Sequence, residues 1–99
     1  MIAKIYLTKS ENQRPSERYI ELSEIDNDPS CLTLTPKDDF YELLEVDCDD
    51  TIYEHYNDDE GSCNELKYSK VEVYTDNMIL ILSKIPDPEV MKVMNERGN

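Results

Sequence analysis

The residues best able to do chemistry lie close together in the middle of the chain. Asp47, Asp49 and Thr51 occupy every second position after an apolar segment, in the run LLEVDCDDT. Cys48 lies among them, and His55 is the only histidine. Carboxylates in this arrangement could attack phosphorus or bind a divalent cation, and a thiol beside an imidazole could act as a nucleophile. Each chemistry needs further residues, and their presence can be checked in the rest of the chain.

The spacing Asp47-x-Asp49-x-Thr51 resembles the nucleophile motif of haloacid dehalogenase-like phosphatases. In that family the first Asp attacks phosphorus and the second acts as acid or base. The family fold also needs a larger doubly wound sheet, a later Lys and a further acidic pair that binds magnesium. A chain of 99 residues does not have the length for that sheet, and the later motifs are missing from it. We therefore expect that the protein is not an enzyme.

The same three residues match the first ligand positions of an EF-hand calcium loop. The sixth position would be Ile52, where the sharp turn needs Gly, and the twelfth would be Asp58, where a bidentate Glu is preferred. A single histidine cannot form a multi-histidine metal site, and the carboxylates around Cys48 disfavour the thiolate that a nucleophile needs. We expect no catalytic residues, no metal site and no cofactor.

These residues belong to an acidic segment, residues 38–60, that dominates the charge of the chain. The segment holds 11 Asp or Glu and no Lys or Arg in 23 residues, and the whole chain has a net charge of −13. Crowded like charges repel each other and destabilise a compact state, so their clustering calls for an explanation. A sequence pI near 4.2 argues against direct binding to nucleic acid or to an anionic membrane, and it favours a basic partner.

A helix is predicted at the start of the acidic segment. In the run Thr35-Pro36-Lys37-Asp38, Thr is a good N-cap, Pro suits the first helical position and Asp favours the positive helix N-terminus. We predict a helix over residues 36–45 that packs its apolar side inward. Its apolar face consists of Phe40, Leu43 and Leu44. Its outward face carries a stripe of carboxylates, namely Asp38, Glu42 and Glu45.

Strand-favouring runs account for most of the remaining chain. Alternating apolar residues predict strands over residues 2–8, 18–25 and 31–35. Residues 51–56 fit a strand or an ordered loop, and a strand over residues 65–75 changes its alternation near Lys70, which indicates a bulge or bend. Residues 78–85, MILILSKI, form the most apolar run and are predicted to be the central, most buried strand. Turn-forming residues separate these runs at 9–16, 27–30, 57–62 and 76–77.

These elements predict a single α+β domain over residues 1–99. We expect an antiparallel sheet of four to five strands packed by one amphipathic helix and by a short C-terminal helix that begins near Pro88. No apolar run approaches the roughly 20 residues that span a bilayer. Three cysteines without CxxC spacing fit reduced thiols, so we expect a cytoplasmic protein. The oligomeric state stays open.

The acidic segment supports a functional hypothesis. Carboxylates along one helix face lie about 5 to 6 Å apart, which is comparable to the spacing of phosphates along a DNA strand. Such an array could occupy a groove that normally holds nucleic acid, and tyrosines supply rigid contact area. We predict a non-catalytic DNA-mimic inhibitor that binds and blocks a basic protein with a nucleic-acid-binding groove. The predicted partner-binding residues are Asp38, Asp39, Tyr41, Glu42, Glu45, Asp49, Asp50, Tyr53, Glu54, Tyr56, Asp58, Asp59 and Glu60.

The composition and small size of the chain resemble those of phage-encoded inhibitors of host nucleic-acid enzymes, such as anti-restriction, anti-CRISPR and uracil-glycosylase inhibitor proteins. Two other roles use features of the same sequence. An immunity protein or antitoxin would neutralise a basic toxin through the same charges. An adaptor domain would bind through an exposed strand edge, for which residues 65–75 are the candidate. A plain solvated acidic surface is the remaining explanation of the charge.

Overall fold

Seven antiparallel strands make up nearly all of the structure, a computed structural model that describes residues 1–8 and 16–91. Each strand pairs with the next one along the chain. The strands are β1 (Ile2–Leu7), β2 (Ser16–Asn27), β3 (Cys31–Pro36), β4 (Tyr41–Asp47), β5 (Thr51–Tyr56), β6 (Cys63–Tyr74) and β7 (Leu80–Lys84).

The first six strands close into a ring, because β1 also pairs with β6. Two long strands make this closure possible. The first part of β2 pairs with β1 and the second part with β3. In the same way, β6 pairs with β5 through residues 63–67 and with β1 through residues 68–74. The seventh strand, β7, pairs with the last part of β6, beyond the stretch that β5 occupies.

Alternation along the strands directs one set of side chains into the ring, where they form the core. Every member of this set is at most 2% exposed. The hydroxyl of Tyr68, the largest of them, donates a hydrogen bond of 2.5 Å to the carbonyl of Asp47, so its polar atom is satisfied. The core residues are Ala3, Ile5, Leu22, Leu32, Leu34, Leu44, Val46, Ile52, Tyr68, Val71 and Val73.

The predicted α+β fold is wrong, and so is the helix over residues 36–45. Pro36 ends β3, residues 37–40 form a turn, and β4 follows. The Oδ1 atom of Asp38 accepts a hydrogen bond of 2.9 Å from the amide of Phe40, which is turn chemistry. Leu44 and Val46 are buried at alternate positions and lie in a strand that pairs on both sides, with β3 and β5. Thr, Pro and Asp favour tight turns as well as helix starts, and the neighbouring strands decide between them.

The prediction that residues 78–85 form the central strand is also wrong. Among the described residues, β7 pairs only with β6 and forms an edge of the sheet. Leu80 and Ile81 are 51% and 43% exposed. Side chains from the first six strands already fill the ring, so the most apolar run of the chain stays outside it.

Other predictions are confirmed. The segments predicted as strands at 2–8, 18–25 and 31–35 are β1, β2 and β3, and residues 51–56 form β5. The predicted bulge lies between Tyr68 and Lys70, where the pairing of β6 with β1 shifts its register. Residues 88–91 are helical, and the rest of the predicted C-terminal helix lies outside the described residues, as does most of the predicted loop at 9–16. No helix within residues 1–8 and 16–91 is long and apolar enough to cross a membrane.

Candidate functional site

Two acidic turns lie side by side at one end of the sheet. They connect β3 to β4 (residues 37–40) and β5 to β6 (residues 57–62). Asn57 joins them: its amide donates a hydrogen bond of 3.0 Å to the carbonyl of Phe40, and its side chain donates one of 3.1 Å to the carbonyl of Asp39. Five carboxylates are thereby brought to one place. We call this surface the acidic edge, and it consists of Asp38, Asp39, Asp58, Asp59, Glu60 and Phe40.

Two of these carboxylates build the turns themselves. The Oδ1 atom of Asp38 accepts a hydrogen bond from the Phe40 amide, and the Oδ1 atom of Asp58 accepts one of 2.9 Å from the Ser62 amide. The bond from Ser62 lowers the pKa of Asp58 below its ordinary value. Gly61, at φ +65°, allows the chain to complete that turn. Of the five carboxylates in the acidic edge, those of Asp39, Asp59 and Glu60 make no hydrogen bond to the described residues.

An exposed aromatic ring lies among the carboxylates. Phe40 is 60% exposed, yet its ring packs edge-on against Tyr41 and Tyr56, with centroid distances of 5.0 and 5.3 Å. Those two tyrosine rings stack on each other at 5.6 Å. Such aromatic pairs contribute about 0.5–1.5 kcal/mol beyond the area they bury. Phe40 is therefore an exposed aromatic ring that two packed tyrosines hold in place among carboxylates.

A buried ion pair supports the aromatic rings. Glu54 is only 3% exposed, and its Oε2 atom accepts a hydrogen bond of 2.8 Å from Nη1 of Arg18. The other terminal guanidinium nitrogen, Nη2, donates to the hydroxyl of Tyr41 at 2.7 Å, and the side-chain amide of Asn64 donates to Glu54 Oε1 at 3.1 Å. Burial lowers the pKa of Arg18, but the bonds to Glu54 and Tyr41 outweigh it, so the pKa is raised. This network ties β2, β4, β5 and β6 together behind the acidic edge.

One prediction changes with this network. Glu54 was predicted as a surface residue that binds a partner, but the structure places it inside the ring, because it lies two residues after the buried Ile52 in β5 and faces the same side. Sequence reasoning missed its partners Arg18 and Asn64. Strand parity gives a signal for them, because an acidic residue at an inward position of a strand needs a buried cation or hydrogen-bond donors.

The residues of the D-x-D-x-T spacing, for which no catalytic role was expected, form another turn at the opposite end of β4 and β5. The Oδ1 atom of Asp47 accepts hydrogen bonds from the amides of Asp49 (2.9 Å) and Thr51 (2.8 Å). Asp50 adopts a positive φ of 82°, and its Oδ1 atom accepts a hydrogen bond of 3.1 Å from Lys67, which raises the pKa of that lysine. The D-x-D-x-T spacing thus builds a hairpin turn, and its charge is partly neutralised by Lys67.

The predicted carboxylate stripe does not exist as one surface. Asp38 lies in a turn and Glu42 is exposed at the start of β4, whereas Glu45 faces outward in the middle of that strand opposite Tyr53. The Nε2 atom of His55 lies 2.5 Å from Glu45 Oε1, although the ring N–H is not aligned for a hydrogen bond. The stripe depended on helical spacing, and a strand separates the same residues.

The described residues form no group of three His, Cys, Asp or Glu side chains that could hold a metal ion. Cys48 is 2% exposed, and its thiol donates a hydrogen bond of 3.0 Å to the carbonyl of Pro29.

Comparison with known proteins found no matching family model, no matching curated protein and no matching solved structure. Function must therefore be argued from the geometry of the chain itself.

Proposed function

We propose that this protein is a non-catalytic inhibitor that binds a basic, nucleic-acid-binding protein through the acidic edge and blocks its groove. The observation that carries the proposal is the exposed ring of Phe40 between two cross-linked acidic turns. Carboxylates attract a basic groove over a distance, and a rigid aromatic ring supplies the short-range contact that charge alone lacks. The partner would meet these groups already in place, which lowers the entropy cost of binding.

Local charge favours this end of the sheet over the other. The two turns of the acidic edge carry five carboxylates and a single cation, Lys37. At the opposite end, Lys67 bonds to Asp50, and the amine of Lys84 lies 3.7 Å from the thiol of Cys48. Clustered, unpaired carboxylates produce a stronger local field than paired ones. The cytoplasm, where nucleic-acid enzymes act, is the compartment that this proposal implies.

An immunity protein or antitoxin would use the same acidic edge against a basic toxin. The two roles differ in the partner and not in the chemistry of the surface. Capture of partners on the tagged chain, elution with salt and mass spectrometry would show which kind of basic protein binds. The captured protein should then lose its binding to DNA or RNA when the untagged chain is added.

Charge reversal tests the acidic edge without damaging its turns. The triple variant D39K/D59K/E60K changes the three carboxylates that make no hydrogen bond to the described residues, and it leaves the turn-building Asp38 and Asp58 in place. We expect this variant to lose binding to the captured partner. Binding of the unchanged protein should weaken steeply with added salt, because exposed charges are screened beyond a Debye length of roughly 10 Å at 0.1 M.

A matched control changes the same number of charges elsewhere. The triple variant E24K/D26K/E65K alters exposed residues on the outer face of the sheet and has the same net charge as the test variant. We expect it to retain most of the binding. Equal loss in both variants would mean that net charge, and not the acidic edge, governs binding, and the proposal would then be rejected. A further variant, F40S, should weaken binding at high salt as well as at low salt.

A further inference from the structure

The edge strand β7 carries an apolar surface that no other part of the described structure covers. Its hydrogen-bonding groups on the side away from β6 have no strand beside them within residues 1–8 and 16–91. Natural proteins usually protect such an edge with charged residues, a proline or a bulge. Here the bulge residue is Ile81, which lies between the paired residues Leu80 and Leu82 and is 43% exposed. The bulge bends this edge but leaves the apolar side chains of Leu80 and Ile81 exposed.

Large apolar side chains are exposed in and beside this edge strand. Five apolar side chains in and beside β7 are each between 43% and 64% exposed. Several exposed apolar side chains near one another mark an interaction site more often than single scattered ones do. The five residues are Met78, Ile79, Leu80, Ile81 and Ile85.

The distribution of charge along the chain favours a second copy of the chain as the partner of this apolar edge. A net charge of −13 makes two copies of the chain repel each other over most of their surface. Residues 78–85 are the exception, because they contain no acidic residue and one lysine, Lys84. Two copies can therefore meet along this segment without placing carboxylates of the segment against each other. An antiparallel strand pair is also two-fold symmetric, so the same strand can supply both sides of the interface.

We propose that two copies of the chain associate by antiparallel pairing of β7 with β7. The pairing joins the β2-β1-β6-β7 strands of each copy into one sheet that continues across the interface, and it places the exposed side chains of Leu80 and Ile81 beside side chains of the other copy. The acidic edge takes no part in the contact, so this inference is independent of the proposed inhibitor function. The two proposals also predict opposite effects of salt. Added salt weakens binding through the acidic edge, whereas it strengthens the pairing of two copies because it screens their overall repulsion.

The test is the mass of the intact chain in solution. Sedimentation equilibrium should show a shift from 11.6 kDa toward twice that mass as concentration rises to about 0.5 mM, with tighter association in high salt. The variant I81K places a charge on the pairing edge at a site that is already 43% exposed, so the fold should tolerate it. We expect the dissociation constant of the dimer to rise about tenfold or more. The control N27K adds the same charge to an exposed residue of β2 and should leave that constant unchanged.

Two outcomes would overturn the inference. One is a mass that stays at 11.6 kDa through the whole concentration series in high salt. The second is a dimer of I81K as tight as that of the unchanged chain, with the fold intact by circular dichroism.

Discussion

Removal of the guanidinium of Arg18 is the sharpest test of the network behind the acidic edge. The variant R18M keeps the apolar stem and deletes the cation that bonds to Glu54 and Tyr41. Loss of one partner from a buried ion pair costs about 3–5 kcal/mol, because the remaining charge is left without compensation. Two features reduce the cost here. The side chain of Arg18 is 34% exposed, and Asn64 still bonds to Glu54.

We therefore expect R18M to lower the free energy of unfolding by about 2 to 3 kcal/mol. Urea denaturation followed by circular dichroism measures this quantity, provided that the slope with denaturant is unchanged. The double variant R18M/E54Q removes the stranded charge as well, and it should be less destabilised than the sum of the two single variants predicts. The coupling energy from this double-mutant cycle should be about 1.5 to 2 kcal/mol.

Additive effects in the cycle would refute this reasoning, since they would mean that Arg18 and Glu54 do not interact in solution. A loss below about 0.5 kcal/mol for R18M would do the same, because changes of that size are ordinary for surface residues. The variant K37M is a suitable control: it removes an exposed cation near the same turn, and no hydrogen bond of its side chain is present in the described structure.

Three further predictions concern other parts of the sheet. Met78 adopts a positive φ of 65° in the turn before β7, so M78G should raise stability by about 1 kcal/mol, and M78A, which keeps a Cβ, should not. The variant L44A should cost about 2–4 kcal/mol, because Leu44 is fully buried in the ring. A hydrogen bond of 2.7 Å from the Tyr6 hydroxyl lowers the pKa of Glu72 below its ordinary 4.5. That bond stabilises the fold fully above pH 4.5 and is lost as the pH falls through the lower folded pKa, so the cost of E72Q in urea titrations should shrink as the pH falls below 4.5.

Much of the sheet can be predicted from local alternation. The strands that became β1, β2 and β3 show apolar residues at every second position, and the bulge near Lys70 is visible as a break in that pattern. The predicted helix over residues 36–45 failed for a physical reason. A helix of that length is marginal in water, so a segment with mixed signals takes the structure that its neighbours can bond to.

Burial could not be predicted from apolarity alone. Residues 78–85 are the most apolar run in the chain, yet β7 lies at an edge because closure of β1 onto β6 completes the ring without it. Closure is a long-range event, and no local pattern reports it. For the candidate site, the composition indicated acidic residues and tyrosines. Only the topology shows that Asp39 and Asp59 come together while Asp49 lies at the other end.

The closure of the ring also determines the order in which the protein can fold. Ile2 pairs with Tyr74, which lies 72 residues later. The pairing of β1 with β6 can therefore form only after β6 has left the ribosome. Hairpins between consecutive strands close short loops and form quickly, whereas a pairing across this distance has a higher entropy cost and is slower. Until β6 is available, β1 and β5 each expose an unpaired edge to other nascent chains. We expect the last pairing step to limit the folding rate, and chains that stop before β6 to aggregate.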